Sequence, residues 1–146
     1  MAKKMYAVYG LILLVFVASQ VVAQQHGKGM MYHMYDVKTE TTVSGTVDEI
    51  ITESHPCCGK TMDHYYITVK TAAETIKIFL GPTDYVTKQI TLKKGDSIIV
   101  VGSKTTLRNE AVIIAKKINV NKTDVVFRND DGTPTWAGQM QQHHHK

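Results

Sequence analysis

From about Thr41 to Arg128 the chain is a succession of short runs rich in Val, Ile and Thr, in which apolar and polar residues alternate with period two. A helix buries residues three and four apart, so this spacing can bury a face only as strands. The main runs are Thr42–Thr52, His64–Thr71, Glu74–Leu80, Ser97–Thr105 and Ala111–Val120, followed by a shorter Asp124–Arg128. In the first run Val43, Gly45 and Val47 share a face, and Gly45 at its centre predicts a bend or bulge. A turn near Ala72-Ala73 pairs the second and third runs as a hairpin. Tyr65, Ile67 and Val69 then face one side with Ile76, Ile78 and Leu80, and Tyr66, Thr68, Lys70, Lys77 and Phe79 face the other. Gly81-Pro82 ends the third run, and the segment from Pro82 to Ile90 has room for a short helix.

Three strands, a short helical connection and two more strands is the order of the OB-fold, a Greek-key barrel of this size. The expected fold is all-β with one small helix: a five-stranded OB-fold barrel with an extra C-terminal strand. It occupies residues 41–137, between a flexible Met- and His-containing arm at 24–40 and a disordered tail at 138–146.

Residues 1–23 read as a secretory signal peptide. Lys3 and Lys4 precede the apolar run Leu11–Ala18, and Val21-Val22-Ala23 puts small residues before a cleavage point. The apolar stretch from Ala7 to Val22 would make a helix roughly 24 Å long, short of a hydrocarbon core of roughly 30 Å. An uncleaved anchor is the alternative. The expected location is periplasmic or extracellular, with no stable membrane span after cleavage. Cleavage after Ala23 removes two of the 17 basic residues and none of the 13 acidic ones, so the charge of +4 falls to about +2. A near-neutral domain does not advertise a polyanion partner, which makes nucleic acid an unfavoured ligand.

Several turn motifs carry a resemblance. Gly45-Thr46-Val47, His64-Tyr65-Tyr66-Ile67, Leu80-Gly81-Pro82, Lys94-Gly95-Asp96, Val101-Gly102-Ser103, and Arg128 to Gly132 with Trp136 are similar to the exported bacterial OB-fold (BOF-like) proteins. The resemblance spans roughly residues 36–138. It implies the barrel and export; such proteins often carry a "DNA-binding" label. A His often precedes the Leu-Gly-Pro turn in that family, and Phe79 holds the place here.

The soft and imidazole side chains are segregated. Beyond the signal peptide the methionines are Met30, Met31, Met34, Met62 and Met140, none within an expected strand. The histidines are His26, His33, His55, His64 and His143 to His145, and the cysteines are Cys57 and Cys58. Thioether, thiolate and imidazole form the ligand set of copper(I) and other soft ions. The candidate metal ligands are Cys57, Cys58, Met62, His64 and His55 in a polar loop, with His33 and Met34 from the arm. No established metal-site spacing is present, and a linker or a structural histidine would account for the same residues.

Adjacent cysteines are themselves unusual outside the cytosol. Their Cα atoms are about 3.8 Å apart, below the usual disulfide range of roughly 4.4–6.8 Å. A strained disulfide, a soft-metal dithiol, an interchain bridge and no special role all remain open. The alternative site is the outer face of the central hairpin, where Tyr66, Lys70, Lys77 and Phe79 could bind single-stranded nucleic acid, an oligosaccharide or another oligomeric envelope ligand. No enzyme is expected. Asp48-Glu49 and Asp130-Asp131 are adjacent pairs, which in a strand point to opposite faces, and no nucleophile–base spacing is present.

Overall fold

In a computed structural model, residues 34–57 and 59–138 are described; Cys57 is described as backbone only. The expected signal peptide, most of the arm including His33, Cys58 and the tail from residue 139 lie outside the described residues. The elements are β1 (Glu40–Cys57), β2 (Lys60–Lys70), β3 (Thr75–Pro82), α1 (Thr83–Gln89), β4 (Ser97–Leu107), β5 (Glu110–Val120) and β6 (Thr123–Val126). Among the described residues no helix is long and apolar enough to cross a membrane.

The first half of β1 pairs with β4 and its second half with β2; β2 pairs with β3, and β4 with β5. Parallel pairing of Lys77, Ile78 and Phe79 with Val112, Ile113 and Ile114 joins β3 to β5 and brings the sheet round on itself. The strand order around the ring is β1-β2-β3-β5-β4, with β6 added to β5. This is the OB-fold arrangement, with the helix between β3 and β4 and the extra C-terminal strand. Strand β1 can serve both halves because Gly45 sits at the crossing; a Cβ there would overlap the Lys70 carbonyl oxygen.

The inner core contains Val47, Tyr65, Ile67, Val69, Ile78, Leu80, Ile98, Val100, Ile113 and Ile118. The two-sided reading of the central hairpin is correct to the residue: Ile67 opposes Ile78 and Val69 opposes Ile76 inside, while Tyr66 opposes Phe79 and Thr68 opposes Lys77 outside.

Two of the three bulges in the sheet, those in β1 and β5, set which residues face out. Asp48 is skipped in the β1–β2 register, where Val47 opposes Val69 but Glu49 opposes Thr68. Residues of one parity therefore change face at this point: Val43 and Val47 line the inner core, whereas Ile51 joins an outer cluster. The bulge falls at Asp48, three residues past the glycine that suggested it. A second lies at Lys116, between the pairs Val101–Lys117 and Gly102–Ala115. Its carbonyl accepts hydrogen bonds from the backbone N–H groups of Phe127 and Arg128.

The outer face is not bare. Tyr66, Phe79, Val112 and Ile114 form a second apolar cluster, packed against by Met34, Tyr35, Ile51 and Leu107. Residues 34–40, expected as flexible arm, are instead partly bound to the barrel. Tyr35 Oη donates to Glu40 Oε1 at 2.7 Å, and the Asp36 N–H donates to Ser103 Oγ at 3.1 Å. The Arg128 guanidinium lies 5.5 Å from the Tyr35 ring. The reason is burial: without Met34 and Tyr35, apolar surface on Tyr66 and Phe79 would face water. Tyr35→Ala is expected to cost about 2 kcal/mol and Tyr35→Phe about 1 kcal/mol, read as lower urea midpoints at unchanged m-value.

Candidate functional site

The segment read as a polar loop at 55–64 is a strand ribbon. β1 continues to Cys57 and β2 begins at Lys60, with pairs Ser54–Asp63, His55–Met62, Pro56–Thr61 and Cys57–Lys60. Pro56 is tolerated because this end of β1 has no neighbour besides β2 in the sheet. Gly59, just before β2, has φ 79°. Met62 thus stands inside a strand, contrary to expectation. The ribbon projects past β3, whose pairing with β2 starts at His64.

Because of the bulge at Asp48, one face of this ribbon carries Ile51 opposite Tyr66, Glu53 opposite His64, and His55 opposite Met62. The imidazoles of His55 and His64 have their centroids 5.2 Å apart. His64 meets the edge of Phe79 at 5.5 Å, and Phe79 lies 5.2 Å from Tyr66. The row is continuous with the outer cluster on which Met34 packs. Met34, from one sequence cluster, and His55, Met62 and His64, from another, therefore occupy the same side of the barrel. Cys57 is two residues beyond His55 in the same strand, while Cys58 and His33 lie outside the described residues.

His55 is buried to 9% exposure and its Nε2 lies 3.3 Å from Glu53 Oε2. The other oxygen, Glu53 Oε1, accepts from Lys77 Nζ at 2.6 Å, and Lys77 also donates to Glu110 Oε2 at 3.0 Å. The Lys77 hydrogen bond outweighs burial and holds the Glu53 carboxyl below its usual range. Burial draws Lys77 down, but its hydrogen bonds to Glu53 and Glu110 leave it above the usual lysine value. His64 Nδ1 is buried without a hydrogen-bond partner among the described residues. Burial, then the charges of His55 and Arg108, lower the His64 pKa, so its ring is neutral and its nitrogen lone pair is available near neutral pH. Among the described residues no group of three or more His, Cys, Asp or Glu side chains is arranged to hold an ion. The pair His55 and His64 is a nucleus that thioether or thiolate donors would have to complete.

The alternative hairpin face looks different from its expectation. Tyr66 is 3% exposed and Phe79 2%, covered by one another, by β5 and by Met34 and Tyr35. Burial pushes the Tyr66 hydroxyl up to about 12. Lys77 spans two carboxylates and sits 4.8 Å from the Tyr66 ring centroid, so its charge is already matched. Of the four residues, only Lys70 is exposed. Bases or sugars could not stack on these rings without displacing the 34–35 segment. Glu53 and Glu110 were not anticipated; they lie 24 and 33 residues from Lys77 in the chain, so no local spacing marked them.

Among solved structures the chain is similar to the OB domain of Ta0387 from Thermoplasma acidophilum, at 12% identity and a TM-score of 0.46, over 75% of this chain and 89% of that one. No curated protein matches. The family that does match is described in other terms than the BOF-like proteins resembled by the turn motifs. Its model covers residues 39–125, from just before β1 into β6, and the chain accordingly belongs to the MamS/MamX magnetosome protein family.

Proposed function

We propose that this is an exported OB-fold binding protein, not an enzyme, that holds copper(I) or another soft metal ion at the end of the β1–β2 ribbon. One observation carries the reading: His55 and His64 stand 5.2 Å apart, with the buried Nδ1 of His64 unpartnered among the described residues. A buried nitrogen without a partner costs stability unless something answers it. Met62, opposite His55, offers a thioether from the same face; Cys57 ends β1 two residues past His55, and Cys58 follows it in sequence. Two imidazoles with sulfur donors suit copper(I) better than a hard ion that wants oxygen. The family's magnetosome description makes iron the second ion to test.

The test is a competitive copper(I) titration of the mature protein without an added tag, with iron(II) run in parallel. The expected result is one ion per chain, bound more tightly than about 1 μM. Affinity should fall at least about tenfold in a His55→Ala, His64→Ala variant and in a Cys57→Ser, Cys58→Ser variant. Both variants keep His143 to His145, so the tail supplies the same background throughout. Wild-type protein that binds neither ion, or binding indifferent to both double substitutions, removes the proposal.

A further inference from the structure

We infer that Glu53 is the positioning residue of this ion site: anchored by Lys77, it fixes His55 as the Nε2–H tautomer and leaves Nδ1 as the donor nitrogen. The inference rests on the ion-binding reading above and adds to it which nitrogen binds and what sets it.

The geometry is a relay of single assignments. Glu53 has two carboxylate oxygens, and Lys77 occupies Oε1 at 2.6 Å. Lys77 cannot swing away freely, since Glu110 Oε2 holds it at 3.0 Å and the Tyr66 ring lies beneath it at 4.8 Å. Oε2, the oxygen Lys77 does not hold, lies 3.3 Å from His55 Nε2. An ionised carboxylate accepts and cannot donate, so the His55 nitrogen that faces it, Nε2, carries a proton when the ring binds an ion. The lone pair is then on Nδ1. Carboxylates that orient metal-binding imidazoles in this way act through ring orientation and ligand basicity. Glu110 follows Arg108 and Asn109, the two positive-φ residues of the β4–β5 turn, so the position of His55 is tied to a hairpin remote in sequence.

Glu53→Gln discriminates a positioning role from a packing role because it is isosteric. Lys77, which can only donate, will take the amide carbonyl and turn the amide NH2 toward His55 Nε2. That imposes the opposite tautomer without emptying any space. The measurement is nitrogen-15 NMR of the His55 imidazole, with and without copper(I), which is diamagnetic. In the wild type the expected state is Nε2–H, with Nδ1 shifting on ion addition. In Glu53→Gln the ring should become Nδ1–H, and copper(I) affinity should fall about 10- to 100-fold in a protein that remains folded. A wild-type ring protonated on Nδ1 overturns the inference. So does unchanged affinity in Glu53→Gln while His55→Ala abolishes binding, an outcome that leaves the ion site standing. If wild-type protein binds no copper(I), the ion site itself falls and takes this inference with it.

Discussion

Gly102→Ala is expected to destabilise the protein by about 3 kcal/mol or more, a large share of the roughly 5–15 kcal/mol that holds a domain folded. Gly102 is in β4 at the point where the Lys116 bulge lets β5 approach, and it opposes Ala115. A methyl group there would overlap the Ile114 carbonyl oxygen and come within 2.8 Å of Ile113 Cγ2. Both neighbours are fixed: Ile114 belongs to the outer cluster and Ile113 to the inner core. The methyl group could be accommodated only by parting β4 from β5 at the middle of the ring. Gly138→Ala is the control, because nothing lies within 4 Å of a Cβ at that position and its φ is ordinary. Urea unfolding should separate the two by the full difference, and a Gly102→Ala midpoint equal to that of Gly138→Ala would contradict the packing described.

Deletion of Asp48 should have the second large effect, and it bears on site and fold together. Asp48 is the extra residue of the β1–β2 bulge. Without it the strand becomes regular, and one half must present the wrong face. If Val43 and Val47 stay inside, Glu53 and His55 leave the face they share with His64. If His55 stays, Val43 and Val47 go to solvent and the core loses two apolar residues. The expected result is a loss of several kcal/mol in unfolding free energy together with abolished copper(I) binding. Asp48→Ala keeps the residue count and should retain the binding. A deletion variant with wild-type midpoint and wild-type affinity would show that the bulge does not set the face of His55.

These two sites show what sequence alone could and could not convey. Alternation in 65–69 and 76–80 assigned inner and outer faces correctly, because each face of that hairpin meets a different environment along its length. The ribbon at 54–63 was unreadable as strand for a different reason. Its burial alternates, with His55 buried between exposed Ser54 and Pro56, but the covered face carries Glu53, His55 and Met62 in place of an aliphatic run, and Pro56 and Gly59 looked like a loop. Bulges shift parity by one residue and leave no compositional mark, which hid the convergence of His55 with His64. The outer cluster did leave a signal. Val112 to Ala115 is apolar at four successive positions, the pattern of a strand buried on both faces. A covered outer face follows from that run, and with it the burial of Tyr66 and Phe79.

Trp136 gives the molecule an optical reporter. It is the chain's single tryptophan, packed in the inner core, 5.3 Å from the Tyr85 ring of α1 and 5.3 Å from the Arg128 guanidinium. His55 and His64 stand on the other surface of the same wall. Indole emission therefore reports the seating of the C-terminal lap against the helix. Copper(I)–sulfur bands fall in the same ultraviolet range as indole absorption, so emission reports the integrity of the barrel and occupancy of the ribbon is read by titration.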